Sequence, residues 1–372
     1  MAKQLIIHAG FPKTGTTSLQ EALSTNRQIL LANGIHYPYA GDHYPHMGDK
    51  AHHLAAFAIS GRIWGWSKRG GSAVPIKEWS SLAKQINRSK RKVLISSENF
   101  SEANLEQIQR IKSDIKTSDI KVVFTLRPLV KLLASSYQQY LKYGIKPTYE
   151  EWLHSVLDNP GISKMTPTFW KRHMHGEVIE NWVSVFGKDN VEVIIVDERK
   201  PEFLFAAFNS LLGLAESTLK AQESGSNRSL SVEEISLLIE INRKFPKKRT
   251  WDDYEIFIRE GAVKYLTDYV AAPLGAHKLL TPEWAVIKAQ EISHLNVEGI
   301  KRSGVRIIGD IEPFSSATVP VGTSELNTQI SIETAASALL ALDQRVVRKL
   351  PSRVLVIETR RRIKKALSRF LP

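Results

Sequence analysis

Short runs of Val, Ile and Leu alternate with stretches of helical spacing in the first part of the chain. The runs lie at residues 4–8, 92–96, 121–126 and 191–196, and in the segment after each one apolar residues recur every three or four positions. Runs of this length predict buried parallel strands joined by crossover helices. The pattern therefore predicts an α/β fold, a three-layer α/β/α domain with a central parallel sheet, and ligands at the carboxyl ends of its strands.

From residue 231 onward the pattern is helical only. Candidate helices lie at residues 231–244, 252–270 and 282–300. The sheet is therefore expected to be complete before residue 231. Residues 309–326 are rich in Gly, Pro, Ser and Thr and are predicted to form a linker. Residues 327–372 are predicted to follow as a basic helical C-terminal extension, which leaves residues 1–308 as the main domain.

Composition and charge restrict the chemistry that the chain can perform. Of 372 residues, 42% are apolar and 24% charged, which is enough to bury a substantial core and excludes overall disorder. There is no cysteine, so disulfides, thiolate-bound zinc, iron–sulfur clusters and thiol nucleophiles are all excluded. The net charge of +13 indicates anionic partners, such as phosphate esters, acidic glycans, nucleic acid or a membrane surface.

The two ends of the sequence bear on where the protein acts. The N-terminal residues enter the first strand pattern without a charged leader or a long apolar core, and the longest apolar runs are strand-sized. We therefore expect a cytoplasmic protein. Residues 343–372 contain ten Lys or Arg and two acidic residues. They are interpreted as a solvated charged helix, with the inner membrane face or a partner protein as the alternative contact.

A glycine-containing loop joins the first predicted strand to the first predicted helix. Residues 8–18 have the sequence HAGFPKTGTTS, and helical spacing begins at Leu19. Such a turn directs several backbone N–H groups and a helix N-terminus toward one point, which binds an anion such as phosphate. The hydroxyls of Thr16, Thr17 and Ser18 are further donors. A Gly- and Thr-rich turn that merely caps a helix is the alternative interpretation.

The position of the lysine separates this loop from an ATP-binding loop. Gly10 and Gly15 have the G-x-x-x-x-G spacing of the ATP-binding motif, but that motif has its lysine directly after the second glycine. Thr16 stands there, and the lysine is Lys13 instead. The string Pro12-Lys13-Thr14-Gly15-Thr16-Thr17 resembles the 5′-phosphosulfate loop of sulfotransferases that use 3′-phosphoadenosine 5′-phosphosulfate (PAPS).

A second string supports the same resemblance. Residues 127–137, RPLVKLLASSY, directly follow the predicted strand 121–126 and are similar to the 3′-phosphate motif of these sulfotransferases. The resemblance is specific at these two motifs, weaker over residues 182–214 and absent beyond about residue 300. It implies a P-loop NTPase-like fold and metal-independent transfer of a sulfuryl group from PAPS to a hydroxyl of a glycan, glycolipid or related acceptor. No nucleic-acid partner is expected.

The resemblance also implies roles for individual residues. Lys13 would stabilise the leaving phosphate, while Arg127 and Ser135 would hold the 3′-phosphate. Arg228 lies in GSNRSL, which resembles an N-x-S-L stretch of bacterial and carbohydrate-type relatives, and is a further candidate nucleotide contact. The 5′-phosphate contacts implied by the loop motif are Lys13, Thr14, Gly15, Thr16, Thr17 and Ser18.

The acceptor hydroxyl also needs a general base near the loop. Glu98 directly follows the predicted strand 92–96, whereas His52 and His53 belong to a cluster of five histidines that also contains His36, His43 and His46. In related carbohydrate sulfotransferases a histidine or glutamate of the early acceptor-binding region has this role. Glu98 is preferred for its position, and His53 and His52 remain open. A zinc site is disfavoured because the histidines lack clear ligand spacing.

Two other functions are compatible with parts of the sequence. A P-loop kinase or NTPase using ATP and Mg²⁺ would explain the glycine spacing and the acidic pair Asp197-Glu198 after the strand 191–196. The position of Lys13 argues against it. A noncatalytic protein that binds an anionic polymer would use the basic residues 360–365.

Overall fold

The computed structural model describes residues 2–39, 50–221, 228–272, 276–326, 329–341 and 363, and the structural statements below refer to these residues. His43, His46, residues 225–227 and most of the basic C-terminal extension lie outside them.

A parallel sheet forms the centre of the described chain. Its six strands are arranged in the order β2-β5-β1-β6-β7-β8, and every neighbouring pair is parallel. The strands of this sheet are β1 (Gln4–His8), β2 (Ile35–His36), β5 (Lys92–Ser96), β6 (Ile120–Leu126), β7 (Val191–Ile195) and β8 (Arg306–Ile308). A separate short hairpin contains β3 (Ile63–Trp64) and β4 (Ser72–Ala73).

Helices occupy the connections between strands and the second half of the chain. The α-helices are α1 (Thr16–Thr25), α2 (Arg27–Ala32), α3 (His53–Ser60), α4 (Lys77–Arg88), α5 (Leu105–Asp114), α6 (Leu129–Leu141), α7 (Tyr149–Leu157), α8 (Phe169–His173), α9 (His175–Phe186), α10 (Glu202–Leu212), α11 (Val232–Lys244), α12 (Trp251–Tyr254), α13 (Lys264–Tyr269), α14 (Glu283–Ser303) and α15 (Ile332–Ala341). A π-helix spans Glu255–Val263, and single 3₁₀ segments span Glu98–Glu102, Lys188–Asn190 and Glu312–Phe314.

The sheet is apolar on both faces because successive residues of a strand point to opposite sides. In β1, Leu5 and Ile7 belong to the core beneath α3, α4 and α9, whereas Ile6 belongs to the core beneath α1 and α10. A third core joins α6, α7, α11 and α14. The predicted three-layer α/β/α fold with a central parallel sheet is confirmed.

The prediction that the sheet is complete before residue 231 is wrong. β8 follows the long helix α14 and pairs with β7 at the sheet edge. It has three residues, Arg306, Ile307 and Ile308, and none of them is fully buried. Such a short, half-exposed edge strand lacks the apolar run by which the inner strands are found. The two-residue strand β2 escaped prediction for the same reason.

Residues 309–326, predicted as a linker, pack along the domain. Phe314 is 2% exposed and belongs to the core beneath the sheet, and Ala317 and Val319 pack against the helical core. Ser324 Oγ accepts a hydrogen bond of 2.8 Å from the backbone N–H of Leu280. The Gly, Pro and Ser content of residues 309–326 therefore belongs to an irregular segment that packs on the domain surface. In the described part of the chain, no helix is both long enough and apolar enough to cross a membrane.

Candidate active site

The loop between β1 and α1 has a backbone that two small residues make possible. A Cβ atom at Gly10 would lie 2.3 Å from Thr125 Oγ1 and 2.5 Å from His8 Nε2. Gly15 has a φ of +83°, in the left-handed region that favours glycine. The buried Thr14 hydroxyl donates to the carbonyl of Phe11 at 2.6 Å and lies 2.7 Å from Thr125 Oγ1. Thr14 therefore fastens the loop to the neighbouring strand β6.

The backbone donors of this loop have no partner within the described protein. The N–H groups of residues 13–18 make no hydrogen bond to a described residue, whereas Leu19 already donates to the carbonyl of Gly15 at 3.1 Å. These N–H groups belong to the turn and to the first turn of α1, where the helix dipole favours negative charge. Thr16 is 4% exposed, while Thr17 and Ser18 are exposed. The loop is therefore built to bind an anion of phosphate type.

Lys13 lies at the bend of the loop and has a strained backbone. Its φ of +67° makes it the one residue other than glycine with positive φ in the described chain, a conformation that costs roughly 1 kcal/mol. Its Nζ atom lies 3.4 Å from Gln139 Oε1 on α6. Although solvent reaches the side chain, desolvation in the cleft lowers the pKa of Lys13; Glu98 opposes this shift, and Arg172 and Arg127 add to it. Strain at a charged, convergent position is typical of a functional residue.

Arg127, at the end of β6, contacts the loop and an acidic side chain together. Its Nη1 donates to the carbonyl oxygen of Lys13 at 2.8 Å, and its Nη2 pairs with Glu198. Lys131, one turn into α6, lies 3.1 Å from the other carboxylate oxygen of Glu198. The Nε of Arg127 is buried without a hydrogen-bond partner. Ser135 is half-buried on the same helix, and its hydroxyl donates to the carbonyl of Leu132 at 3.0 Å.

Glu98 and His53 are brought together at the end of β5. His53 Nδ1 lies 3.6 Å from Glu98 Oε2, 2.9 Å from Ser97 Oγ and 3.1 Å from Asn99 Nδ2. Its Nε2 makes no hydrogen bond to a residue that the structure describes. Gln20, on α1, donates to Glu98 at 3.3 Å and so ties the carboxylate to the phosphate loop helix.

The environment of Glu98 favours its charged form. Burial alone would raise the pKa of this carboxyl, but the neighbouring His53 and hydrogen bonds from its own backbone N–H and from Gln20 oppose that effect. The charge of Arg172 contributes as well, and the resulting pKa lies below the usual value. Glu98 is therefore a carboxylate at neutral pH.

His8 is a part of this site that the sequence analysis missed. The ring is fully buried at the end of β1, with Nδ1 2.8 Å from Ser96 Oγ and Nε2 3.3 Å from Thr125 Oγ1. Burial lowers its pKa to about 4, against a smaller opposing effect of Glu98, so the ring is neutral. A histidine inside an apolar strand and just before the glycine loop was the available signal.

Two residues predicted for the site are engaged elsewhere. His52 is buried; its Nδ1 accepts from the backbone N–H of Ser96 at 3.1 Å, and its Nε2 lies 3.1 Å from the carbonyl of Pro38. Burial lowers the pKa of His52 to about 3. Both ring nitrogens are therefore occupied by backbone groups, and the structure does not bring His52 together with Lys13 as a free base.

Arg228 is also fully engaged by the protein. Its Nη1 and Nη2 bind the two carboxylate oxygens of Glu234 at 2.8 and 2.7 Å. Its remaining donors bind the carbonyl oxygens of Ser229, Leu266 and Val270. The pair is closed from solvent, since the Glu234 side chain is 1% exposed. Arg228 holds the start of α11 in place and has no donor left for a nucleotide.

A cavity of about 360 Å³ lies beside Lys131, beyond the carboxyl ends of β6, β7 and β8. Its wall combines basic and acidic residues with apolar surface. Its lining includes Pro128, Lys131, Asp197, Arg199, Lys200, Phe203, Asp310, Pro313 and Phe314. Lys131 therefore lies both at this cavity and beside the Glu198 carboxylate.

The acidic residues after β7 are paired with cations. Asp197 lies 2.8 Å from Arg199, whose hydrogen bonds lower the pKa of Asp197 to about 2. Glu198 pairs with Arg127 and Lys131. Within the described residues, no group of three or more histidine, aspartate or glutamate side chains is arranged to hold a metal ion.

Comparisons with known proteins give limited information. No protein-family model matches the chain, and no curated protein is significantly similar to it. Among solved structures, the chain is similar to the crystal structure of a sulfotransferase from Alicyclobacillus acidocaldarius, with a TM-score of 0.42 and 17% sequence identity, over 65% of this chain and 93% of that chain. At this similarity the neighbour does not indicate which donor or acceptor this chain uses.

Proposed function

We propose that the protein is a sulfotransferase that moves a sulfuryl group from PAPS to a hydroxyl of a glycan, glycolipid or related acceptor. The observation that carries this proposal is the loop of residues 13–18, whose backbone N–H groups have no described partner and whose lysine lies at the bend. The N–H groups suit a 5′-phosphate, and the Lys13 ammonium suits the charge that develops on the bridging oxygen as the sulfuryl group leaves.

The neighbouring cations suit the second phosphate of this donor. Arg127 and Lys131 converge on a single carboxylate, that of Glu198, and a guanidinium binds phosphate in the same way as it binds a carboxylate. We assign the 3′-phosphate to these cations, with Ser135 contributing after its hydroxyl turns from Leu132. The adjoining cavity of about 360 Å³ would then hold part of the nucleoside.

His53 is the base that the geometry favours, with Glu98 as its partner. In the tautomer whose Nδ1–H donates to Ser97 Oγ, Nε2 of His53 would take the proton of the acceptor O–H. The acceptor oxygen forms the new O–S bond while the S–O bond to the 5′-phosphate breaks. The products are the sulfate ester and 3′-phosphoadenosine 5′-phosphate (PAP). Glu98, 3.6 Å from His53 Nδ1, would stabilise the imidazolium. This division of roles follows from the lowered pKa of Glu98, which makes its carboxylate a weak base but a good partner for a cation.

A kinase is less well supported by the geometry. Asp197 and Glu198 are both paired with cations in the described structure. The basic residues 343–372 stay a predicted solvated helix, with an anionic membrane or a partner protein as the alternative contact, and a cytoplasmic location stays an expectation.

Calorimetric titration with PAP in metal-free buffer, alongside ATP with Mg²⁺, tests the proposal. We expect PAP to bind without metal and Lys13→Ala to weaken binding and abolish transfer of ³⁵S from labelled PAPS. Lys84→Ala, which removes an exposed lysine on α4, is the matched control and should change neither. Binding of ATP with Mg²⁺ but not PAP would refute the proposal and favour the kinase.

The base assignment has its own test. His53→Ala should lower kcat by about a hundredfold or more, whereas Glu98→Gln should lower kcat by a smaller factor. The opposite pattern would return the role of base to Glu98. Binding of PAP to both variants shows that the nucleotide site is intact.

A further inference from the structure

Two arginines share one buried carboxylate at the edge of the cleft. Arg62 Nη1 and Arg172 Nε lie 2.7 and 2.8 Å from the same oxygen, Oε1 of Glu102. The side chains are largely buried, with 22%, 12% and 4% of Arg62, Arg172 and Glu102 exposed. Glu98 also lies within electrostatic reach of Arg172, so the three cations Arg62, Arg172 and Lys13 face two carboxylates, Glu98 and Glu102. Excess positive charge at a partly dehydrated position makes folding less favourable, and it is expected where a protein binds an anion.

Most donors of these arginines are unused. Arg172 makes its described hydrogen bond through Nε, which leaves Nη1 and Nη2 without one. Arg62 uses Nη1 for Glu102 and for Asn99 Oδ1 at 3.2 Å, which leaves Nε and Nη2. None of the unused nitrogens is closed off from solvent. A planar guanidinium with two free nitrogens is suited to a bidentate contact with a carboxylate or sulfate group.

The positions of the two arginines are held by neighbouring rings. The Arg62 guanidinium carbon lies 4.8 Å from the ring centre of Phe57, and that of Arg172 lies 5.8 Å from the ring centre of Tyr140. Together with the shared carboxylate, these contacts restrict both side chains before any ligand arrives. Such preorganisation lowers the entropy cost of binding an anion.

The pair lies on the side of the cleft where the base is. Arg62 donates to Asn99, and Asn99 Nδ2 lies 3.1 Å from His53 Nδ1. The positive charge of Arg172 lowers the pKa of both Lys13 and Glu98, which locates it within electrostatic reach of the reacting groups. The nucleotide cations Arg127 and Lys131 have a separate carboxylate partner.

We propose that Arg62 and Arg172 form an anion subsite for the acceptor, which binds a carboxylate or sulfate group adjacent to the hydroxyl that is sulfated. The acceptor class is therefore an acidic glycan. This inference rests on the proposed function, and it assigns to the two arginines the positioning of the acceptor hydroxyl toward His53. The hydrogen-bonded path through Asn99 favours the acceptor over the sulfuryl group of PAPS as the anion bound.

Binding of defined oligosaccharides in the presence of saturating PAP tests the subsite without requiring turnover. The probes are a glucuronate-containing tetrasaccharide, its sulfated form and its carboxyl-reduced neutral form. The variants are Arg172→Gln, Arg172→Lys and Arg62→Gln, and the matched control is Arg302→Gln, which removes an exposed arginine paired with Glu180 on α9. PAP binding and thermal unfolding of each variant report separately on the nucleotide site and on folding.

We expect the wild-type protein to bind an acidic probe more tightly than the neutral one, and Arg172→Gln to lose about tenfold to a hundredfold of that affinity. Arg172→Lys should recover part of the loss, and PAP affinity should change less than twofold. Equal binding of acidic and neutral probes by the wild type, or an unchanged preference in both glutamine variants, would overturn the proposal. If the arginine variants lose affinity for PAPS but keep their affinity for PAP and for the oligosaccharides, the arginines bind the sulfuryl group, and the proposal is overturned as well. Failure of the wild type to bind PAP would instead refute the proposed function.

Discussion

Replacing Glu198 with glutamine is expected to tighten the binding of nucleotides that carry a 3′-phosphate. In the structure without nucleotide, the Glu198 carboxylate pairs with Arg127 and lies 3.1 Å from Lys131. A 3′-phosphate that uses these cations has to displace the carboxylate, which then remains as a nearby negative charge. Glutamine keeps the size of the side chain and removes that charge.

The magnitude follows from the exposure of the pair. The Glu198 side chain is 46% exposed, while 18% of Arg127 and 29% of Lys131 is exposed. Solvent screening therefore limits each ion pair to at most about 1 kcal/mol. Allowing for hydration of the released carboxylate, we expect a net gain of about 1 kcal/mol, or about a fivefold lower Kd for PAP. The gain should shrink in high salt because the charges are accessible to ions.

Calorimetry with PAP and with adenosine 5′-monophosphate isolates the contribution of the 3′-phosphate. Glu198→Gln should tighten PAP binding and leave the affinity for the monophosphate unchanged. Glu216→Gln, at an exposed position after α10, controls for the change in net charge. Equal effects on the two nucleotides, or weaker binding of PAP, would show that Glu198 does not occupy the 3′-phosphate position.

Three further predictions concern the scaffold. Gly10→Ala should destabilise the fold by about 1–3 kcal/mol in urea unfolding and abolish PAP binding, because its Cβ would overlap Thr125. Gly34→Ala, in open space at positive φ, should cost about 1 kcal/mol and keep PAP binding. Equal PAP binding by the two variants in calorimetry would contradict the loop geometry. Arg228→Met should cost about 3–5 kcal/mol in unfolding, because it leaves a buried carboxylate unpaired, yet the folded variant should bind PAP normally; weaker binding at unchanged stability would place Arg228 in the nucleotide site. Burial lowers the pKa of His52 to about 3. Below about pH 6.5, the unfolded chain therefore binds a proton at His52 that the folded chain does not bind, and stability falls with decreasing pH. The contribution of His52 to this fall is about 2 kcal/mol at pH 5. Urea unfolding at pH 8 and pH 5 should show a correspondingly smaller loss in His52→Gln, and equal losses would argue against a neutral His52.

The inner strands and the phosphate loop could be predicted because their signals are local. β1, β5, β6 and β7 are predominantly apolar, with Lys121 in β6 and Glu192 in β7 as interruptions, since parallel strands are buried on both faces. Residues 8–18 contain the glycine spacing and the lysine within a single turn. In such segments, the signal that predicts the structure lies in neighbouring residues of the sequence.

Contacts between distant segments could not be predicted in this way. The pairing of His53 with Glu98 joins α3 to the end of β5, and the sharing of Glu102 joins Arg62 to Arg172. No spacing in the sequence encodes either contact. They arise because parallel strands bring their carboxyl ends to one edge of the sheet.

Contacts between distant segments also explain why two residues predicted for the site, His52 and Arg228, are bound elsewhere in the protein. His52 stands next to His53, but the two residues straddle the start of α3, and the ring of His52 enters the core while that of His53 reaches the cleft. Arg228 has a suitable local sequence, yet Glu234, six residues later in the first turn of α11, binds it. Whether a polar side chain is available to a ligand depends on partners that local sequence does not reveal.

The hydrogen bond from Arg127 to the carbonyl of Lys13 connects the position proposed for the 3′-phosphate with the lysine proposed to act on the sulfuryl group. One nitrogen of this guanidinium holds the backbone of the residue that bears the reactive ammonium, while another faces the position assigned to the 3′-phosphate. On the proposed function, the two ends of the nucleotide would therefore be thermodynamically coupled through a single side chain. With a donor that lacks the 3′-phosphate, Arg127 would stay paired with Glu198, and the carbonyl of Lys13 would be held beside this ion pair instead of beside a bound phosphate. Donor selection would then appear in the rate of transfer as well as in affinity.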